Sequence, residues 1–235
     1  MAADKSIPDA AKTEKCPPLF RWAGGKRRLI SQILPVVPKS FNHYYEPFSG
    51  GAALFFKLQP ANATLGDKNE ELINCYQQVK SSPEEVIEAL GKLKNTKTEY
   101  YKIRAALPKN RIDRAARLIY LMELSFNGIY RVNSDGGFNV PYGSKKNKEF
   151  DFDKIRKVSK AFATTEFVCG DFGTTVKNAK EGDLVYFDPP YTVAHGNNGF
   201  VQYNERIFSW AGQIRLANAS TSANESIEPE NSSGS

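Results

Sequence analysis

The sequence predicts an α/β fold built on a doubly wound parallel sheet. Two observations support this prediction. Short apolar strands alternate with glycine turns and amphipathic helices, and acidic residues fall at the predicted carboxyl ends of four segments. In such sheets ligands bind at that edge, near the point where the strand order reverses. The acidic residues are Glu46, Asp67, Asp171 and Asp188.

The elements of the first half follow from local pattern. "LFRWAGGKRRLISQILP" predicts a glycine turn and an amphipathic helix ending at Pro35, because its apolar residues recur at helical spacing. "FNHYYEPFSGGAALFFKL" predicts a strand, a glycine turn and a buried helix, and "ATLGDKNEELINCYQQVK" repeats that order. "SSPEEVIEALGKLK" predicts a helix capped by Ser82, with Pro83 in its first turn.

The second half adds a helix over 111–126 and a hairpin, since Asp135-Gly136 lies between two β-prone runs. Strands are expected at "TEFVCGD" and "DLVYFD". We expect a core domain that is interrupted by a small helical and hairpin lobe and flanked by disordered ends. The boundaries are 1–18 for the disordered start, 19–82 and 151–217 for the core, 83–150 for the lobe and 218–235 for the disordered tail.

Composition narrows the functional classes. The 235 residues carry a net charge of +6, and the pI near 9.1 favours an anionic partner without identifying one. Three scattered cysteines and two distant histidines predict neither a disulfide framework nor a metal site. No signal peptide or membrane-length apolar run is present, so we expect a soluble intracellular protein, cytoplasmic or associated with the nucleoid or nucleus.

The most specific motif is "DLVYFDPPYT", in which an apolar strand leads into Asp188, Pro189, Pro190 and Tyr191. The exocyclic amine of adenine is a poor nucleophile because its lone pair is delocalised into the ring. A carboxylate and a backbone carbonyl held by consecutive prolines can each accept one amine hydrogen, and the tyrosine can stack on the base. The alternative, a strand that merely ends at prolines, leaves the aspartate and tyrosine unexplained.

Three other motifs are ambiguous alone. The glycines of "EPFSGGAALFF" suit a close ligand or simple packing against the following helix. Asp67 can bind ribose hydroxyls, or it can be an ordinary turn or capping residue. "RWAGGK" offers an aromatic face and a cation, or only the start of a surface helix.

Taken in order, "RWAGGK", "EPFSGGAALFF", "GDKN", "FNGIYRVNSDGGFNVPYG", "GDF" and "DPPY" resemble the Dam-type adenine-specific DNA methyltransferases, over roughly residues 19–217. The resemblance implies a Rossmann-like fold that uses S-adenosylmethionine and no metal. It places Glu46 to Gly51 beneath the methionine part and Asp171-Phe172 beside the adenine of that cofactor. The implied cofactor contacts are Trp22, Lys26, Glu46, Pro47, Phe48, Gly50, Asp67, Asp171, Phe172 and Asp188.

The resemblance also implies double-stranded DNA as partner, a monomeric enzyme, and a DNA-recognition role for the 83–150 lobe. Arg131 matches the position that reads a guanine, which suits its fork of donors. The basic residues around 145–148 are expected to contact phosphates and make binding salt dependent. The implied DNA contacts are Asn127, Arg131, Asn133, Lys145 and Lys146, and the implied catalytic group is Asp188, Pro189, Pro190 and Tyr191.

The sequence departs from the family in two places. Gly50-Gly51 is followed by Ala52, where a Gly-x-Gly turn is usual. The family's later strands have no counterpart after "QIRLA", so we expect the C-terminal strands to be missing and the strand before Asp188 to lie at a sheet edge.

The leading hypothesis is a site-specific methyltransferase that moves a methyl group from S-adenosylmethionine to the amine of a flipped-out adenine in DNA. A second hypothesis is a truncated, catalytically impaired methyltransferase-like protein that binds DNA or cofactor without turnover. A third is methylation of a protein glutamine or of RNA.

Overall fold

Four short strands pair in parallel in this computed structural model, which describes residues 16–22, 25–26, 28–145 and 148–189. Their order across the sheet is β3-β2-β1-β4. Each strand falls in a predicted segment, so the parallel α/β prediction is confirmed. The winding reverses between β1 and β4, which puts the switch point at their carboxyl ends. The strands are β1 (Tyr44–Glu46), β2 (Ala63–Asp67), β3 (Thr165–Cys169) and β4 (Leu184–Val185).

β1 lies inside the sheet, where Tyr44 is opposite Ala63 on one side and Leu184 on the other. All its residues are buried, as expected for a parallel strand covered on both faces. The β4 backbone continues beyond the assigned strand, because the Tyr186 amide donates to the Tyr45 carbonyl at 2.8 Å. Within the described residues β4 lies at the sheet edge, as predicted. The expectations for missing strands and a disordered tail concern residues outside the described part.

Within the described residues, the first helix precedes β1, and the other helices lie between the strands in chain order. Short 3-10 turns at Leu34–Val36 and Phe126–Gly128 follow the first and sixth helices. The helices are α1 (Ile30–Ile33), α2 (Ala53–Leu58), α3 (Glu70–Ser81), α4 (Pro83–Gly91), α5 (Lys97–Ala105), α6 (Arg111–Leu124), α7 (Phe152–Ala161) and α8 (Phe172–Val176).

Helix predictions succeeded where an apolar stripe is long. α3 buries the predicted face, and the Asn69 side chain caps it by accepting from the Leu72 amide at 3.0 Å. The prediction for α1 was wrong in its end: α1 ends at Ile33, before Pro35, although Ile33 and Leu34 pack partly buried against the core as an amphipathic helix should. Its chain continues as a 3-10 turn because proline lacks the amide that a further α-turn needs. Ser82 occupies the N-cap of α4, but its side chain makes no capping hydrogen bond there, so that detail was also wrong.

Two helices, α5 and α7, were not predicted. Each has a side-chain cap: Thr96 accepts from the Glu99 amide at 3.2 Å, and Asp151 accepts from the Lys154 amide at 2.8 Å. α7 buries Ile155 and Val158. The capping pattern Thr-x-x-Glu was a signal for α5 that periodicity alone did not reveal.

The predicted hairpin forms a tight reversal with one antiparallel bridge, Val132 to Phe138. Gly136 turns the chain with a φ of 80°, a conformation that glycine adopts without strain. The Asn139 amide then donates to the Arg131 carbonyl at 3.1 Å. The hairpin thus lacks the two assigned strands that its sequence suggests.

One apolar cluster joins the sheet layer to the predicted lobe. α6 packs against α3 and α4, and α4 also packs against α7. Aromatic rings fill the layer beneath the sheet, with Phe162 lying 5.1 Å from Tyr76 and 4.9 Å from Phe167 between ring centroids. The 83–150 lobe boundary stays a prediction. None of the described helices combines the length and apolar character needed to span a bilayer.

Candidate active site at the carboxyl ends of the strands

Two hydrogen bonds from different elements fix the glycine turn after β1. The Gly50 amide donates to Asp67 Oδ2 at 3.0 Å, and the Tyr76 hydroxyl donates to the Gly50 carbonyl at 2.5 Å. Gly50 has a φ of 45°, in the left-handed region that favours glycine. Ala52, in the position where the family pattern has its second glycine, adopts a φ of 50° at a cost of about 1–2 kcal/mol. The alanine therefore keeps a glycine-like turn.

Trp22 packs directly on this turn. A Cβ built on Gly50 would lie 2.7 Å from Trp22 Cδ1, and one on Gly51 would lie 3.1 Å from Trp22 Cβ. The sequence allows two interpretations of these glycines, a close ligand or close packing against the following helix. The described contacts support neither directly, because the nearest neighbour of Gly50 and Gly51 is the Trp22 side chain. The first glycine turn thus brings the predicted cofactor residue Trp22 to the end of β1.

Asp67 ends β2 and holds two loops together. Its Oδ1 accepts from the Asn69 amide at 2.9 Å while its Oδ2 accepts from Gly50. Burial raises the pKa of the Asp67 carboxyl, and the hydrogen bonds from these amides oppose that rise. The turn interpretation and the binding interpretation are compatible, since each carboxylate oxygen keeps a lone pair for a hydroxyl donor.

Glu46 is the most deeply buried acid of this edge, with 3% of its surface exposed. Burial raises the pKa of its carboxyl to about 8, although the Tyr44 hydroxyl, which donates to Oε2 at 2.9 Å, acts in the opposite direction. The Asp188 and Asp67 carboxylates raise it further by repulsion. Burial thus favours the protonated form of Glu46, and the predicted acidic residues influence one another electrostatically.

Asp188 follows β4 and forms an ion pair with Lys26. Lys26 Nζ donates to Asp188 Oδ1 at 2.5 Å, and both side chains are mostly buried. The pair fixes the carboxylate of the most specific motif at the switch point between β1 and β4. Pro189 is partly buried, whereas Pro190 and Tyr191 lie outside the described residues.

The remaining predicted cofactor residues lie in the loop after β3 and in the turn after β1. Asp171 caps α8 by accepting from the Gly173 amide at 3.0 Å, and its Oδ2 lies 3.8 Å from Lys68 Nζ. The Phe172 ring is stacked near that of Phe48, with 5.8 Å between centroids. The buried Pro47 precedes Phe48 in the β1 turn. The segments that follow β1 and β3 thus bring the rings of Phe48 and Phe172 together.

Three of the predicted DNA residues, Asn127, Arg131 and Asn133, are exposed in the hairpin or just before it. Arg131 Nε donates to Asn139 Oδ1 at 2.7 Å, and Asn133 Oδ1 accepts from the Gly137 amide at 2.7 Å. Asn127 has a left-handed φ of 57° in the 3-10 turn before the hairpin. These hydrogen bonds are local to the loop.

Comparison with known proteins identifies the family of this chain. The model of the D12 class of N6 adenine-specific DNA methyltransferases matches residues 22–232. The chain belongs to this family. The type II methyltransferase M1.LlaDCHI of Lactococcus lactis subsp. cremoris is 44% identical over 210 residues, which cover 85% of this chain and 74% of the relative. M.MjaIII of Methanocaldococcus jannaschii, another type II methyltransferase, is 38% identical over 224 residues, or 85% and 78% of the two chains.

A third relative carries a different description. The DNA adenine methylase of Haemophilus influenzae is 32% identical over 212 residues, covering 87% of this chain and 74% of the relative. The family and the parallel fold confirm the enzyme class predicted from the motifs. This chain is an adenine-specific DNA methyltransferase.

The basic segment of the methyltransferase is less exposed than its sequence suggests. Lys145 Nζ donates to the Glu123 carbonyl at 2.6 Å, and burial lowers the pKa of Lys145. Lys148 forms an ion pair with the Glu123 carboxylate, which also pairs with Lys154 at 3.1 Å. Lys146 lies outside the described residues. Contacts from Lys145 to phosphate stay a prediction. To make them, the Lys145 ammonium must give up its hydrogen bond to the Glu123 carbonyl.

Sequence reasoning missed several residues of the candidate site. The buried Tyr76 holds the glycine turn, and Tyr130 stacks on Trp22 with 4.8 Å between ring centroids. Phe126 exposes 54% of its surface beside Asn127. The α3 pattern gave Tyr76 as a core residue only, and no local signal links Tyr130 to Trp22.

Proposed function

We propose that the methyltransferase uses S-adenosylmethionine to methylate the N6 amine of adenine in double-stranded DNA, with Asp188 as the residue that receives the amine. The observation that carries this assignment is the Lys26–Asp188 ion pair at the β1/β4 switch point. Ligands of doubly wound sheets bind in this crevice. The carboxylate therefore stands where the cofactor and the base must meet.

The residues around the glycine turn fit the proposed cofactor. Asp67 keeps acceptor capacity for ribose hydroxyls, and Phe48 with Phe172 offers apolar faces for an adenine ring. Within the described part of the chain, the hydroxyl of the buried Ser49 has no hydrogen-bond partner, which favours a polar ligand group beside the turn. Trp22, Lys26, Glu46, Pro47, Gly50, Asp171 and Asp188 complete the proposed binding set.

The chemistry needs an activated amine. Bound S-adenosylmethionine supplies an electrophilic sulfonium methyl group. Asp188 and the Pro189 carbonyl each accept one hydrogen of the adenine amine, which favours a tetrahedral nitrogen with a free lone pair. As the nitrogen gains the methyl group, the carbon–sulfur bond to the leaving S-adenosylhomocysteine breaks, and one amine proton passes to solvent by way of the Asp188 carboxylate. We propose that Pro190 holds this geometry rigid and that Tyr191 stacks on the base.

The base must leave the helix to reach this carboxylate, so the proposed mechanism includes base flipping. The hairpin supports DNA recognition because the Arg131 guanidinium and the Asn133 amide are exposed and bonded only to neighbouring loop groups in the contacts described above. Arg131 has the fork of donors that pairs with the O6 and N7 acceptors of guanine. The exposed Phe126 ring, next to Asn127, is an apolar surface on which unpaired bases can stack.

The proposed activity is tested by product identity. The protein is incubated with genomic DNA and methyl-labelled S-adenosylmethionine, and the DNA is digested to nucleosides. We expect label in N6-methyladenine, little label with Asp188→Ala, and one sequence context on mapping. Label in methylcytosine would contradict the adenine assignment, and equal labelling by both proteins would contradict the role of Asp188.

The same experiment separates the other hypotheses. A cooperative thermal melt whose midpoint rises with S-adenosylmethionine, combined with no DNA labelling, would favour a binding protein without turnover. Label that enters added RNA or protein and spares DNA would favour the third hypothesis.

A further inference from the structure

Tyr130 joins the glycine turn to the base of the hairpin. Its ring is stacked on Trp22, with 4.8 Å between centroids and an angle of 18° between planes. Trp22 in turn packs against Gly50, the residue that Asp67 and Tyr76 hold in place. One face of Tyr130 is thus tied to the proposed cofactor site through a single intervening side chain.

The Tyr130 hydroxyl adds a second link to the same site. Burial raises the pKa of Tyr130, and the neighbouring Asn69 side chain opposes that rise. Asn69 caps α3 through its side chain, and its backbone amide donates to Asp67. The phenol is therefore connected to both strand ends that form the proposed cofactor pocket, through the Trp22 stack and through the α3 cap.

The opposite contacts of Tyr130 belong to the hairpin. Its ring meets Phe138 edge to face at 5.7 Å, and Phe138 forms the antiparallel bridge with Val132. Arg131 is the next residue, and its carbonyl accepts from the Asn139 amide on the returning side. A change in the angle of the Tyr130 ring must therefore move the base from which Arg131 extends, because packed aromatic groups leave little free space.

We infer that Tyr130 is a positioning residue that aligns the DNA-reading hairpin with the cofactor-binding turn, so that cofactor binding orders the hairpin. This inference rests on the proposed function, because it needs a cofactor at Trp22 and a recognition role for Arg131. Any such coupling is reciprocal: a cofactor that orders the hairpin favours DNA binding, and bound DNA tightens the cofactor by the same factor.

A plain packing role would have different consequences. An aromatic residue that only fills space stabilises the protein with or without ligand, and its loss leaves the ligand response of the hairpin intact. Tyr101 provides the matched control. It is a partly buried tyrosine on α5 whose contacts are Tyr100, edge to face at 5.6 Å, and the Arg104 guanidinium at 4.7 Å from its ring.

The test measures hydrogen exchange of peptides covering residues 129–140, with and without S-adenosylhomocysteine, whose binding is measured separately by calorimetry. In the wild type we expect the ligand to slow exchange of the hairpin amides on the order of 10-fold. Tyr130→Leu should lose that protection, whereas Tyr101→Leu should keep it. Tyr130→Phe, which retains the stack, should keep more protection than Tyr130→Leu. Tyr130→Met replaces the leucine variant if that variant fails to melt cooperatively.

The outcomes separate this inference from the proposed function. Wild-type protein that binds S-adenosylhomocysteine but shows no added hairpin protection would overturn the inference alone. Protection that persists in Tyr130→Leu or Tyr130→Met, or that is lost equally in Tyr101→Leu, would also overturn the inference. Failure of the wild type to bind S-adenosylhomocysteine would overturn the proposed cofactor and the inference together.

Discussion

The strand-end site and the hairpin hold their polar side chains in different ways. At the strand ends, Asp67 accepts from the Gly50 amide, 17 residues away in the chain, and Asp188 pairs with Lys26, 162 residues away. At the hairpin, Arg131 and Asn133 are exposed, and each bonds to a residue within the same short loop. One region is built by long-range packing and the other by local hydrogen bonds.

This difference indicates that the two regions suit different ligands. Buried carboxylates fixed from several sides suit a small cofactor, because little reorganisation is needed when it binds. Exposed side chains with local partners can exchange those partners for base edges at low cost, which suits DNA. We therefore expect substitutions at the strand ends to change stability and cofactor binding, and substitutions at the hairpin to change sequence preference.

The largest expected effect is the pH dependence that Glu46 gives to stability. Its pKa is about 8 in the folded protein, whereas an exposed carboxyl ionises near 4.5. The unfolded chain therefore loses the proton first, and the free energy of unfolding falls as pH rises from about 4.5 through 8. The slope is at most about 1.4 kcal/mol for each pH unit.

Denaturant unfolding of the wild type and Glu46→Gln across that pH window measures this contribution. The glutamine variant should lose a large part of the decline, while Asp67, whose pKa is also raised by burial, retains a smaller part. Parallel stability curves for the two proteins would show that Glu46 is ionised in the folded state, against our description of the site.

A matched pair of glycine substitutions contrasts the two regions directly. Gly50 and Gly136 both have positive φ, but a Cβ on Gly50 would overlap Trp22 whereas one on Gly136 meets nothing within 4 Å. We expect Gly136→Ala to cost about 1 kcal/mol in backbone strain, and Gly50→Ala to cost at least about 2 kcal/mol. Gly50→Ala should also weaken S-adenosylhomocysteine binding, measured by calorimetry. Equal costs would mean that Trp22 does not constrain the turn.

Arg131→Ala should change sequence preference more than stability. Loss of a bidentate contact to guanine reduces discrimination at one base pair by about 1–3 kcal/mol. Competition between duplexes that differ at that pair measures the change. Arg156→Ala is the control, since Arg156 is an exposed arginine on α7 paired with Glu84 and Asp153. An unchanged preference in Arg131→Ala would remove Arg131 from direct recognition.

The sequence predicted the strands and strand-end acids well because each strand combines a short apolar run with a glycine or proline stop. It did not predict α7, whose short buried face gives a weak periodic signal, or α5, whose capping pattern was overlooked. The contacts that organise the site were out of reach for a different reason. Lys26 and Asp188 are 162 residues apart in the chain, and no local pattern specifies which distant side chains meet.

The most direct test of the account is the rate of methyl transfer in Asp188→Asn under single-turnover conditions. The variant keeps the shape of the side chain but removes the charge that accepts from Lys26 and, in our account, from the adenine amine. We expect the rate to fall by at least about 100-fold. Asp183→Asn, which alters a carboxylate in the turn before β4, should keep the wild-type rate within a few-fold. Methyl transfer by Asp188→Asn at the wild-type rate would contradict the central claim.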